Sequence, residues 1–294
     1  MKVLITGAHG QLGRELVRLG ASVDVEVHDC NRHQLDITNK KSIEQVLAPI
    51  SPGVVINAAA YTHVDRAETD SDLAYAVNAE GPRHLARYCA GHQLALIHIS
   101  TDYVFDGSLN RPYKENDAVA PLGVYGRSKA QGETAVRSAC PRHIIVRTSW
   151  LYGVYGQNFV KTILKLAAHK KTLQVVADQS GSPTSAADLA SALLIIAQKI
   201  ATGEKNAWGT YHYCGAGITT WHGLAEKTIE LAAAHTDIQT RRVEAISSAQ
   251  WPTSAPRPPY SALDCTRLKR QFGIEAQPWL SSLKQTIARI FCGS

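Results

Sequence analysis

The chain has 294 residues, 45% hydrophobic and 19% charged, with a formal net charge of +6. That balance supports a full core and excludes a disordered chain, and the length suits one large domain or two closely joined ones. Lys and Arg are scattered rather than grouped, so nucleic acid is not the expected partner, and no apolar run nears the ~18 residues of a membrane span.

Met1-Lys2 leads straight into an apolar strand, 2–6, too short for a secretory h-region, so a cytoplasmic location is expected. A glycine-rich turn follows, then a helix, 11–20, whose Leu12, Leu16, Val17 and Leu19 recur near helical spacing. Val23, Val25 and Val27 alternate as a second strand. Ser42 is placed to cap a helix, 43–48, closed by Pro49 and Pro52. Strand 54–56, helix 71–91, strand 94–99, helix 124–138 and strand 144–146 come next. Short apolar strands alternating with helices predict an α/β fold, a Rossmann-like doubly wound parallel sheet. Beyond 150 come a helix 158–168, a strand 173–176, a helix 185–200, a strand 210–213 and a helix 221–234. A Pro-rich loop, 252–259, and a helix, 278–291, end the chain. The expected organisation is a dinucleotide-binding domain over 1–150, with 178–205 returning to it. A smaller C-terminal substrate-binding domain takes most of 151–294. The six cysteines form no C-x-x-C pair and read as free thiols of a reducing compartment.

Gly7-Ala8-His9-Gly10-Gln11-Leu12-Gly13 lies between the first strand and the first helix. A pyrophosphate needs a sharp turn, no side chains in its way and a helix N-terminus offering free N–H groups. The dinucleotide set therefore takes in Gly7, Gly10, Gln11, Leu12 and Gly13, and the spacing resembles the short-chain dehydrogenase class. At the end of the second strand an acid favours NAD and a base accepts the 2′-phosphate of NADP. Asp29 could fill the first role, but the preferred register puts Asn31 and Arg32 there, which favours NADPH and leaves NADH open. Asp36 and Ile37 suit an adenine pocket, though Asp36 also suits a turn cap. Ala58, Ala59 and Ala60 follow the third strand, small enough for a cofactor to lie close.

Tyr125 and Lys129 are four apart on a predicted helix, one turn and roughly 6 Å along one face. Reducing a ketone needs a proton donor beside the carbonyl. A neighbouring ammonium is expected to bring the phenol, ordinarily near ~10, toward working pH. Thr101 closes the fourth strand and can place a hydroxyl on the developing oxyanion. Gly7, Ala58 and Thr101 all fall at strand carboxyl ends, where ligands of such sheets sit.

Several blocks resemble the dTDP-4-dehydrorhamnose reductase family of the extended short-chain class. They are Ser100-Thr101-Asp102-Tyr103-Val104-Phe105-Asp106-Gly107, Pro121 to Lys129, and Arg147-Thr148-Ser149-Trp150-Leu151-Tyr152-Gly153. Asn57 to Glu68, Asn158 to Thr162, Asp178 to Thr184 and Arg257-Pro258-x-Tyr260-Ser261 agree as well. The resemblance implies hydride transfer from NADPH, or NADH, to the C4 ketone of a dTDP-linked deoxysugar. It makes Thr101, Tyr125 and Lys129 catalytic and adds Thr62, Tyr125 and Lys129 to the cofactor contacts. Thr101, Asp102, Tyr103 and Trp150 would meet the sugar and Arg257 a phosphate. Trp150 also fits a core position and Arg257 a surface charge.

Some relatives of this kind dimerise through glutamate-held Mg2+. The last helix, Ser281 to Phe291, carries no acid, so no metal is expected and the chain is read as a monomer or homodimer. Rival readings are a 4,6-dehydratase, which would need a carboxylate where Tyr103 stands, a 4-epimerase or other 4-ketoreductase, and a non-catalytic dinucleotide-binding regulatory subunit.

Overall fold

A computed structural model describes residues 1–23, 25–204 and 207–293. Its elements run β1 (Lys2–Thr6), α1 (Gln11–Gly20), β2 (Glu26–Cys30), α2 (Lys40–Ile50), β3 (Val54–Asn57), α3 (Val64–Ala67) and α4 (Ser71–Tyr75). A π-helical segment, Ala76–Glu80, leads into α5 (Gly81–Gly91), β4 (Ala95–Thr101), α6 (Val124–Ala139), β5 (His143–Thr148), β6 (Leu151–Tyr152), α7 (Phe159–Ala167) and β7 (Thr172–Val176). The rest is β8 (Ser180–Gly181), β9 (Thr184–Ser185), α8 (Ala186–Ala201), β10 (Gly209–His212), β11 (Thr219–Thr220), α9 (Trp221–Ala232), β12 (Arg242–Ile246), α10 (Thr266–Phe272) and α11 (Trp279–Cys292).

Six parallel strands form the central sheet in the order β10-β5-β4-β3-β1-β2. Val3, Leu4 and Ile5 are fully buried, as expected of a strand covered on both faces. Leu12 and Leu16 of α1 pack with α8 and α10 against one face, through Leu189, Leu193, Ile196, Leu268 and Phe272. Ile43 and Leu47 of α2, Leu85 of α5 and Val136 of α6 cover the other. Burying each such side chain contributes about 1.5–3 kcal/mol before chain entropy is charged against it. The chain order reverses at β1, between β2 and β3, and opens a crevice at the carboxyl ends there.

A second apolar cluster joins Tyr152, Val160, Leu224, Leu283 and Ile287 of the C-terminal segments. Helix α8 packs on α1 and β10 pairs with β5, so sheet-side structure runs to His212, past the 205 expected; residue 205 itself lies outside the described residues.

Several local expectations change. The second strand starts at Glu26, and Val23 sits in a turn; Asp24, within the expected alternation, lies outside the described residues. Asn39, not Ser42, caps α2: its carboxamide oxygen accepts from Lys41 N and Ser42 N, while Ser42 Oγ accepts from Asp36 N. Pro49 lies inside α2. The 71–91 helix carries the π segment in its middle. Strand β12 and helix α10 have no counterpart in the sequence reading.

Candidate active site

The turn after β1 is shaped so that only glycine fits. Gly7 has φ +67°, and a Cβ there would stand 2.7 Å from Ala59 Cα and N. A Cβ at Gly13 would lie 2.3 Å from Gly7 O, so α1 presses directly on the turn. Gly10 supplies α1 with no side-chain cap, which leaves its first N–H groups to an anion.

A cleft of about 460 Å³ opens above this turn. Gly7, Gly10, Asn31, Arg32, Asp36, Ile37, Ala58, Ala59, Ala60 and Thr62 line it. The sequence reading missed its other walls, among them Tyr61, His63, Arg66 and Leu73. Asp36 serves two ends, since its Oδ1 also accepts from Thr38 N and Oγ1. Gln11, Leu12 and Gly13 do not line the cleft. Leu12 turns into the core, Gly13 is the packing contact, and the Gln11 amide donates to Leu151 O at 3.3 Å. These three can meet a cofactor only through backbone or at the rim.

Thr101 ends β4 and caps a short turn, accepting from Tyr103 N at 3.2 Å and donating to Asp102 Oδ1 at 3.0 Å. Helix α6 is drawn against that turn: a Cβ on Gly126 would sit 2.2 Å from Tyr103 O. Glu68 Oε1 accepts from Val124 N and so caps α6 from another element. Tyr125 thereby stands beside Thr101, and the Tyr103 ring meets it edge-on at 5.8 Å. Lys129 Nζ donates to Ile99 O of β4 at 2.6 Å. Between the two, Ser128 Oγ accepts from Asn78 Nδ2, whose carboxamide also holds Tyr61 N and O in the cleft wall.

The electrostatics correct one expectation. Burial, and to a smaller extent the Asp102 charge, push the Tyr125 phenol up to about 12, and a Thr101 hydrogen bond pulls it back only in part. Burial also lowers Lys129 to about 8, while Glu133 raises it. Asp102 is raised to about 7 by burial, against hydrogen bonds from Ser261 and Thr101.

A larger cavity, about 800 Å³, lies on the C-terminal side, with Tyr103, Phe159, Gln179, Trp221, Trp251 and Arg257 in its wall. Trp150 does not line it. It has φ +47° and stacks flat on Trp221, centroids 3.6 Å apart, so it backs the wall. Trp221 was legible only as a large aromatic at a predicted helix start. Arg257 does line the cavity, but its guanidinium is paired with Asp65 rather than left as a free surface charge. Among the described residues, no group of three or more His, Cys, Asp and Glu is placed to hold a metal ion, and no helix is long and apolar enough to cross a membrane.

The family described as RmlD substrate binding domain matches residues 1–292. A dTDP-4-dehydrorhamnose reductase of Aggregatibacter actinomycetemcomitans is 46% identical, over 96% of this chain and 97% of that protein. The crystal structure of a dTDP-4-dehydrorhamnose reductase from Clostridium acetobutylicum superposes with a TM-score of 0.91 at 40% identity, covering 98% of each chain. One from Bacillus anthracis, solved in complex with NADP, gives 0.89 at 38% identity, covering 98% of this chain and 99% of that one.

Proposed function

Because this chain belongs to the RmlD substrate-binding-domain family, we propose that it reduces the C4 ketone of dTDP-4-dehydro-beta-L-rhamnose to dTDP-L-rhamnose, the last step of dTDP-rhamnose synthesis. The observation that carries this reading is the convergence of Thr101, Tyr125 and Lys129 on the end of β4. A non-catalytic dinucleotide-binding subunit would have no need of that convergence.

The residues fit a nicotinamide dinucleotide. The turn that a Cβ at Gly7 would fill, and the uncapped start of α1, suit a pyrophosphate. Asn31 and Arg32 are placed for a 2′-phosphate, Asp36 and Ile37 for adenine, and Ala58, Ala59, Ala60 and Thr62 for close approach. NADPH is the cofactor this favours, and bound there it supplies the hydride.

Tyr125, pushed up to about 12, holds its proton through neutral pH and donates it to the C4 oxygen. The Thr101 hydroxyl is a second donor for that oxygen as charge develops on it. Lys129, on the same face one turn along, stays an ammonium below about pH 8 and stabilises the phenolate left after proton transfer. Asp102, Tyr103 and Trp150 orient the sugar, the last through the Trp221 stack, and Arg257 takes a phosphate. We assign 1–150 together with α8 and β10 to the dinucleotide-binding unit and most of the remainder to the substrate side. The reading places the chain in the cytoplasm, as a monomer or homodimer.

The test follows NADPH and NADH absorbance with dTDP-glucose converted in situ by a dehydratase and an epimerase. Oxidation that needs both helpers and fails in Tyr125→Phe supports the assignment. Dinucleotide binding without oxidation removes it.

A further inference from the structure

Three prolines flank Arg257: Pro256, Pro258 and Pro259. Without their N–H groups these prolines can join a sheet only through carbonyls, as Pro259 O does with Ser180 N at 2.9 Å, so side chains fasten the part of the strap before it. One carboxylate does most of that. Asp65 Oδ1 accepts from Ala255 N at 3.1 Å and from Arg257 Nη1 at 3.0 Å, and Oδ2 accepts from Arg257 Nη2 at 2.7 Å. The partners are 192 positions apart, and Asp65 belongs to α3, which follows directly on the wall of the dinucleotide cleft.

A guanidinium has five N–H donors in a fixed plane. Asp65 takes the end-on pair, one from each Nη, and Ala255 O accepts the second Nη1 proton at 3.2 Å. Beyond these bonds lies the side-on edge, Nε with one Nη2 proton, a pair of donors suited to phosphate oxygens. The Tyr103 phenol, which also edges Tyr125, accepts a hydrogen bond from this guanidinium and so borders the face left to a ligand. Arg257 itself lines the 800 Å³ cavity.

We infer that Asp65 is a positioning residue: it clamps the end of the Arg257 guanidinium, fixes the 255–257 strap, and so presents the Nε/Nη2 edge to the diphosphate of a nucleotide bound in the cavity. The inference rests on the reductase reading for the identity of that nucleotide. Two effects of Asp65 oppose each other. Its charge offsets that of Arg257, which weakens attraction for an anion, and its two bonds hold the fork in one orientation, which strengthens binding. Orientation wins because the strap's backbone tie to a strand lies past Arg257, where Pro259 O accepts from Ser180 N at 2.9 Å, so the two bonds to Asp65 set the direction of the guanidinium itself.

The experiment titrates dTDP calorimetrically into the full chain, Asp65→Asn, Arg257→Gln and the double variant, with NADPH affinity and Tm measured in parallel. Each single change is expected to weaken dTDP about tenfold, a loss typical of one charged hydrogen bond. The double variant should bind no more weakly than Arg257→Gln alone, and NADPH affinity should not move. Tighter dTDP binding by Asp65→Asn would show a competitor rather than a clamp. Additive losses in the double variant would show that Asp65 acts without Arg257. Either result overturns the inference and leaves the reductase reading standing. Should Asp65→Asn fail to fold, Asp65→Glu, which keeps the charge one methylene further out, takes its place with the same expectations at smaller size. A wild-type chain that binds no dTDP and oxidises no NADPH overturns the parent reading and this one with it.

Discussion

Arg147 and Glu133 form a bidentate ion pair sealed from solvent, with Nε to Oε1 at 2.8 Å, Nη2 to Oε2 at 2.7 Å, and side chains 2% and 0% exposed. Burial pushes Glu133 up, yet Arg147 holds it below the usual carboxylate range. Glu133 lies one helical turn past Lys129 and raises it, so the pair adjoins the residues of α6 to which we assign catalysis.

Arg147→Met leaves the Glu133 charge buried, with the partly exposed Arg137 as its remaining ion-pair partner among the described residues. Loss of one partner of a buried pair costs about 3–5 kcal/mol. Urea unfolding should show that loss, and replacing Glu133 by Leu in the same chain should return much of it. A loss below about 1 kcal/mol would mean that Arg137 compensates alone.

Tyr125→Phe removes the proposed proton donor and should leave the dinucleotide cleft intact. Turnover should fall about 10²–10⁴-fold, the span of a general acid, while NADPH still binds by fluorescence titration. Thr101→Val should lose less, because the phenol still donates to the same oxygen. Equal turnover in wild type and Tyr125→Phe would remove the donor role.

The pH profile follows from the two shifts on α6. Tyr125, at about 12, keeps its proton throughout the working range and contributes no limb. Lys129, lowered to about 8 by burial, is charged below that pH and neutral above it. The kcat/KM for the sugar should be level below about pH 8 and fall tenfold per unit above it. In Glu133→Gln the limb should move to lower pH, since the charge that raises Lys129 is gone. A limb that does not shift would detach Glu133 from Lys129.

Arg32 lines the dinucleotide cleft beyond the end of β2. Arg32→Ala should raise the KM for NADPH roughly 10- to 100-fold, the equivalent of a charged hydrogen bond, and leave that for NADH nearly unchanged. Parallel steady-state runs with both cofactors decide it. Equal effects on the two would place Arg32 away from the 2′-phosphate.

By itself the sequence determined the sheet strands and helices whose apolar positions repeat at a fixed period, the glycine turn, and the Thr101, Tyr125 and Lys129 set. Each of these is local: a side chain's face follows from its spacing, and the ends of parallel strands meet at one edge of the sheet. Strand β12 escaped because Arg242–Ile246 is half polar and pairs only with β7, without an apolar run to mark it. Tertiary structure alone decided which way the Tyr125 phenol shifts, since burial depends on everything packed around it. It also decided that Trp150 backs Trp221 and that Asp65 grips Arg257. The same holds for Cys214 and Cys265, 51 positions apart, whose sulfurs come within 3.6 Å. Such partners carry no mutual signal along the chain, because what joins them is the packing of whole elements rather than any pattern within one.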